Sequence, residues 1–128
     1  MHKAISTHQA PKAVGPYSQA VLAKDFLFIS GQLPINPASS LIEALTIEEQ
    51  TTQVLKNIEA ILREAGLNFH QVVRCEIFLT NMNDFKTVNA IYANTFNGPV
   101  KPARQTIEVS DLPMGALIEI SCIALTGK

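Results

Sequence analysis

Apolar residues recur at helical spacing in two stretches of the chain and form strand-like runs in most of the rest. In 46–67, TIEEQTTQVLKNIEAILREAGL, the residues Ile47, Val54, Leu55, Ile58, Ile61, Leu62 and Ala65 fall on one stripe. Thr46 and Glu49 have capping-box spacing, and Gly66 suits the residue that stops a helix. In 83–96, NDFKTVNAIYANTF, a second stripe contains Phe85, Val88, Ile91, Tyr92 and Phe96. Asn83 is its expected cap and Gly98-Pro99 its stop.

The remaining segments predict strands. FLFISGQLPI, 26–35, is broken by Gly31 and Pro34. VVRCEIFLT, 72–80, is a second strand. KPARQTIEV, 101–109, has an extended start at Pro102 and β-branched Thr106, Ile107 and Val109. ALIEISCIALTG, 116–127, is the longest and most apolar. Ahead of them, AISTHQAPKAVGPYSQAVLAKD, 4–25, is interrupted by proline and glycine and ends in a short apolar run from Tyr17 to Ala23. The order strands, helix, strand, helix, strands predicts an α+β sandwich, with two helices packed on one face of a mixed sheet. On the last strand Ile118, Ile120, Cys122 and Ala124 point one way, and Leu117, Glu119, Ser121, Ile123 and Leu125 the other. Both faces are largely apolar. Two helices cover only one of them, so a partner subunit is the expected cover for the other.

Composition supports that expectation. The 128 residues contain no repeat or linker and read as one domain, 1–128. Hydrophobic residues make up 47% and charged residues 16%. A typical charged fraction is about 25%, so the surface is apolar for a small monomer. The net charge is −1 and the ten basic residues are scattered. Without a basic stripe, nucleic-acid binding by counterion release has little support. MHKAISTHQAPKA lacks an apolar signal core and no run approaches a membrane span, so the expectation is a soluble cytoplasmic protein with no membrane partner. Cys75 and Cys122, both in apolar runs, read as small core residues ahead of a redox pair.

Two charged residues break the pattern. Glu119 interrupts the apolar run LIEIS, and Arg104 stands at the head of its strand. Burying either costs several kcal/mol unless it is paired or hydrogen-bonded. They are either a structural pair or edge charges, or else they line a cleft. In a cleft, Arg104 would fork onto a ligand carboxylate and Glu119 would handle a proton or a water. Tyr17, in GPYSQA, is a core ring or a wall of such a site. Gly31, in ISGQLP, is a turn residue or a point of close backbone approach. Asn89 lies mid-helix beside inward-facing Val88, near the buried face or simply on the surface. His2, His8 and His70 are far apart, and no phosphate loop, GxGxxG or GxSxG is present. A metal site is not expected, which leaves a cofactor-free enzyme or a binding module.

APKAVGPYSQAV, FISGQLPINP, NIEAILREAGL, VVRCEIFLTNMNDFKTVNAIYANTF and KPARQTIEVSDLPMGALIEISCIAL closely resemble, in order and over nearly the whole chain, the reactive-intermediate deaminase family (RidA, or YjgF-like proteins). The resemblance implies a chorismate-mutase-like α+β fold with a mixed, mostly antiparallel sheet. It also implies a homotrimer whose sheets line a central barrel, with clefts between subunits. The implied activity is cofactor-free hydrolysis of 2-enamine and 2-imine acids, products of pyridoxal-phosphate dehydratases such as 2-iminobutanoate and 2-iminopropanoate, to 2-keto acids and ammonia. By position, Arg104 matches the arginine that grips the substrate carboxylate, and Glu119 the acid that positions the attacking water. Tyr17, Ser30, Gly31 and Asn89 match pocket positions. Thr106 falls where many members have cysteine and contributes through its backbone, and Gln105 replaces a usual small residue. The same resemblance admits a regulatory trimer that binds keto or amino acids with little turnover. A ribonuclease or translation-inhibitor role, reported for some relatives, fits poorly with the charge balance.

Overall fold

The computed structural model describes residues 1–127, which build two helices over one face of a six-stranded sheet. The strands are β1 (His2–Ile5), β2 (Ala20–Ala23), β3 (Phe26–Gln32), β4 (Val72–Leu79), β5 (Ala103–Glu108) and β6 (Ile118–Leu125). The helices are α1 (Ile47–Glu64) and α2 (Phe85–Thr95). The sheet order is β1-β2-β3-β6-β4-β5. Among the described residues β4–β5 is the parallel pair and the other pairings are antiparallel. Parallel neighbours need a crossover, and α2 supplies it between β4 and β5. This is the α+β arrangement that the alternation of segments predicts.

Both ends of α1 follow from local chemistry. The Glu49 N–H donates to Thr46 Oγ1 at 3.2 Å and the Thr46 N–H to Glu49 Oε1 at 3.4 Å, which completes the capping box. At the other end Gly66 adopts φ 77°. Its N–H reaches the Arg63 carbonyl at 2.9 Å, and the Leu67 N–H reaches the Leu62 carbonyl at 2.8 Å. That is a Schellman stop, and it requires a residue at ease with positive φ.

The start of α2 differs from expectation. Asn83 is not its cap. A 3₁₀ turn, Met82–Asp84, leads into the helix, and the Asn81 side chain accepts from the Asn83 N–H at 2.9 Å. The helix ends at Phe96, ahead of Gly98-Pro99. The third strand is also shorter than the apolar run that predicts it. Leu33 and Ile35 leave the sheet because α1 satisfies their carbonyls. Buried Asn57 donates Nδ2 to Leu33 at 3.1 Å and to Ile35 at 3.0 Å. β1 has no counterpart in the sequence reading.

The core lies between helices and sheet. Ile118, Ile120, Cys122 and Ala124 of β6 join Leu27, Ile29, Cys75, Ile77 and Leu79. They pack against Val54, Ile58, Ile61 and Leu62 of α1 and Val88 and Tyr92 of α2. Each large side chain so buried contributes about 1.5–3 kcal/mol. Cys75 and Cys122 are register partners, buried and free, with sulfurs 3.6 Å apart, in keeping with a core role. Among the described residues no element covers the opposite face. Phe26 and Phe28 there stay 41% and 44% exposed, beside half-buried Phe78, Ile123 and Leu125.

Candidate active site

Arg104 sits on β5, the edge strand, in register with Cys75 and therefore on the helix-facing side. α2 crosses above it. Arg104 Nη1 donates to Asn89 Oδ1 at 2.6 Å. The guanidinium carbon lies 4.9 Å from the centre of the Tyr92 ring and 5.4 Å from that of Phe85. The ion pairs among the described residues are Arg63–Glu59 and Arg74–Glu76, and Arg104 belongs to neither. Within one chain Arg104 and Glu119 are therefore not a structural pair, and Arg104 stays exposed, as an edge charge would. Asn89, a neutral acceptor, orients the guanidinium without neutralising it. Thr106 follows two residues along on the same face, and its Oγ1 is buried without a hydrogen-bond partner among the described residues. The arrangement is an oriented, uncompensated cation at the rim of the sheet, suited to a planar anion such as a carboxylate.

Glu119 lies on the other face. It is in register with Phe78 and half-buried, and that burial raises its pKa above the ordinary carboxylate value. Beside it, β3 bulges: between the pairs Ile29–Cys122 and Gln32–Ile120 it carries one residue more than β6. Gly31 belongs to this bulge. A Cβ on Gly31 would overlap the Glu119 carboxylate, so the glycine is what lets backbone and acid meet.

Ser30 ties the bulge to the turn that carries Tyr17. Its N–H donates to the Gln19 carbonyl at 3.0 Å and its hydroxyl to the Ser18 carbonyl at 2.6 Å. Buried Gln19 fixes the turn in its place. Its Nε2 donates to the Thr7 carbonyl at 3.1 Å and the Pro11 carbonyl at 2.8 Å, and its Oε1 accepts from the Thr7 N–H at 2.7 Å. Tyr17 remains 53% exposed. With Gly31, Leu33, Pro113 and Met114 it lines an open cavity of about 370 Å³.

One chain thus holds two half-sites. Arg104, Asn89 and Thr106 gather on the helix side at the β5 edge. Glu119, Gly31, Ser30 and Tyr17 gather around the bulged end of β3. The two charged residues project from opposite faces of the sheet, so a single chain does not bring them into one cleft.

A family profile described as "Endoribonuclease L-PSP" matches residues 7–126. The chain belongs to the RidA/YjgF family. It is 48% identical over 120 residues to the chloroplastic Reactive Intermediate Deaminase A of Arabidopsis thaliana, across 94% of this chain and 64% of that protein. It is 44% identical over 127 residues to the mouse 2-iminobutanoate/2-iminopropanoate deaminase, across 99% of this chain and 93% of that protein. The crystal structure of a Rid-family protein of unknown function from Yersinia pestis superposes with a TM-score of 0.96 at 49% identity, covering 98% of this chain and 100% of that one.

In this RidA-family chain Phe85 and Tyr92 pack inward, as the stripe predicts, but sequence reasoning missed that both also lie beside the Arg104 guanidinium. Both read as core residues on the α2 stripe. The available signal was their i, i+4 and i, i+3 spacing around Asn89, which puts all three on one side of α2. The wall residue Met114, at φ 60°, carried no such signal. Among the described residues no three His, Cys, Asp or Glu side chains cluster as a metal site, and no helix is long and apolar enough to cross a membrane.

Proposed function

We propose that this protein hydrolyses 2-imino acids, in exchange with their 2-enamine tautomers, to 2-keto acids and ammonia, in clefts where two copies of the chain meet. The observation that carries the reading is Arg104. It is an oriented guanidinium with a neutral partner and no carboxylate, beside an orphaned hydroxyl. The deaminase names of the plant and mouse relatives support the same chemistry.

In this reading Arg104 holds the substrate carboxylate bidentately. Glu119 of a neighbouring copy, with its pKa raised by burial, gives a proton to the imine nitrogen. The resulting carboxylate takes a proton from a water as that oxygen adds to C2. Glu119 then gives that proton to the amine nitrogen, the C–N bond of the carbinolamine breaks to release ammonia, and the hydroxyl proton returns to Glu119 to leave the keto acid. One water is consumed and nothing is oxidised or reduced. An imine is already electrophilic, so placement of the water and charge complementarity are enough, without a covalent nucleophile. The uncovered apolar face around Phe26 and Phe28 is where further copies associate. A cyclic trimer with the sheets facing a central barrel covers it and sets one half-site of each copy against the other half-site of the next.

The test is a coupled assay. A threonine dehydratase generates the imine, semicarbazide competes for it, and keto-acid release is followed with wild type and Arg104→Ala. Acceleration by wild type alone supports the reading. If neither protein accelerates release while 2-oxobutanoate still binds, the protein is a ligand-binding module.

A further inference from the structure

The Arg104 side chain is exposed, yet its position is specified from three directions. Asn89 takes one N–H at 2.6 Å. The Tyr92 ring lies under the guanidinium at 4.9 Å, and Phe85 flanks it at 5.4 Å. Tyr92 is itself held. The residue is 7% exposed, its ring packs on Phe96 with centroids 4.4 Å apart, and Phe96 meets Phe69 edge-on at 5.2 Å. A stack of aromatic rings therefore runs from the turn before β4, through the core, to the guanidinium.

The Tyr92 hydroxyl is buried and has no hydrogen-bond partner among the described residues. Burial pushes its pKa above the ordinary tyrosine value, so it stays neutral and gives Arg104 no counter-charge. Both rings and Asn89 come from consecutive turns of α2, at positions 85, 89 and 92. A guanidinium over an aromatic face keeps its full charge and its remaining donors while losing freedom to swing. For a carboxylate ligand that restraint lowers the ordering cost on binding.

We propose that Tyr92 and Phe85 are positioning residues that form an aromatic seat for Arg104 and aim its free donors at the ligand carboxylate. Only the kinetic arm of this inference rests on the deaminase reading. The seat acts on binding, so its loss raises KM and leaves kcat nearly unchanged.

The experiment compares wild type with Tyr92→Phe, Tyr92→Leu and Phe85→Leu. Arginine side-chain resonances are recorded by NMR and assigned through Arg104→Lys. Binding of 2-oxobutanoate is measured by calorimetry, and KM and kcat come from the coupled assay. Wild type is expected to show ring-current-shifted Arg104 resonances, which return toward ordinary positions in Tyr92→Leu. Tyr92→Leu and Phe85→Leu are expected to raise KM and the 2-oxobutanoate Kd about tenfold and about threefold, respectively. Tyr92→Phe keeps the ring and recovers most of the lost affinity. A purely structural role for Tyr92 would lower thermal stability and the active fraction without moving KM. Unshifted Arg104 resonances in the wild type, or unchanged KM and Kd in folded Tyr92→Leu and Phe85→Leu, overturn the seat. The spectrum judges it even if the wild type proves inactive, a result that would count against the deaminase reading alone.

Discussion

Gly31→Ala is the substitution whose effects on stability and on activity separate most widely. A methyl at position 31 would overlap the Glu119 carboxylate and stand 2.8 Å from its Cδ and 3.2 Å from its Cγ. Ordinary carbon–carbon contact is about 3.5–4.0 Å, so the acid has to retreat by about 1 Å. The obstacle is the far end of a half-buried, flexible side chain. An off-rotamer Glu119 costs about 0.5–1.5 kcal/mol. In a domain of this size that lowers Tm by about 2–6 °C. Activity has a different sensitivity, because displacing a proton-handling group by 1 Å costs about 100-fold. Gly31→Ala is therefore expected to fold and to associate normally, yet to release keto acid about 100-fold more slowly in the coupled assay. In a Glu119→Gln background the same methyl is expected to reduce activity by less than about threefold, because the two changes act through one group. Activity within threefold of wild type for the single variant would refute the reasoning, since Glu119 could then move without consequence.

Three further outcomes follow from the same geometry. Gly66→Ala meets nothing within 4 Å but must hold φ near 77°, so it is expected to cost about 1 kcal/mol in thermal unfolding and leave activity unchanged. Burial raises the Glu119 pKa, so the folded chain keeps a proton that the unfolded chain releases, and stability falls as the pH rises from about 4.3 through the folded value. Glu119→Gln is thus expected to melt above the wild type near about pH 8, with the difference closing below about pH 4; a constant difference would contradict the burial argument. Phe28→Glu puts a charge on the open sheet face, and sedimentation equilibrium is expected to show dissociation to monomers; an unaltered assembly would place the interface elsewhere.

The sheet and helices were legible because their signals are local and periodic. The α1 stripe, the Thr46–Glu49 box and Gly66 each act within a few residues, and the structure repeats them. The alternation on β6 correctly separated Ile118, Ile120 and Cys122 from Glu119 and Ile123. What the sequence hid depends on contacts distant along the chain. β1 is a four-residue edge strand whose pairing with β2 leaves no periodic trace. The end of β3 is set by Asn57, more than twenty residues away on α1. Asn83 looked like a cap because asparagine at a helix start usually is one, but Asn81 caps the 3₁₀ turn that leads into α2, and α2 itself has no side-chain cap. Arg104 and Glu119 stood out as charges in apolar runs. That they lie on opposite faces follows only from strand register, because β4 links the two: Cys75 pairs with Arg104 and Phe78 with Glu119.

That opposition yields the most direct test of the central claim. Arg104→Ala and Glu119→Gln are purified separately, mixed in equal amounts, and dissociated and reassembled together before the coupled assay. If each site joins Arg104 of one copy to Glu119 of the next, random trimers rebuild about a quarter of the sites intact. The account predicts that two variants with little residual activity recover about a quarter of wild-type activity on mixing. A mixture as inactive as its parts, beside a wild type that survives the same treatment and turns over, would contradict it.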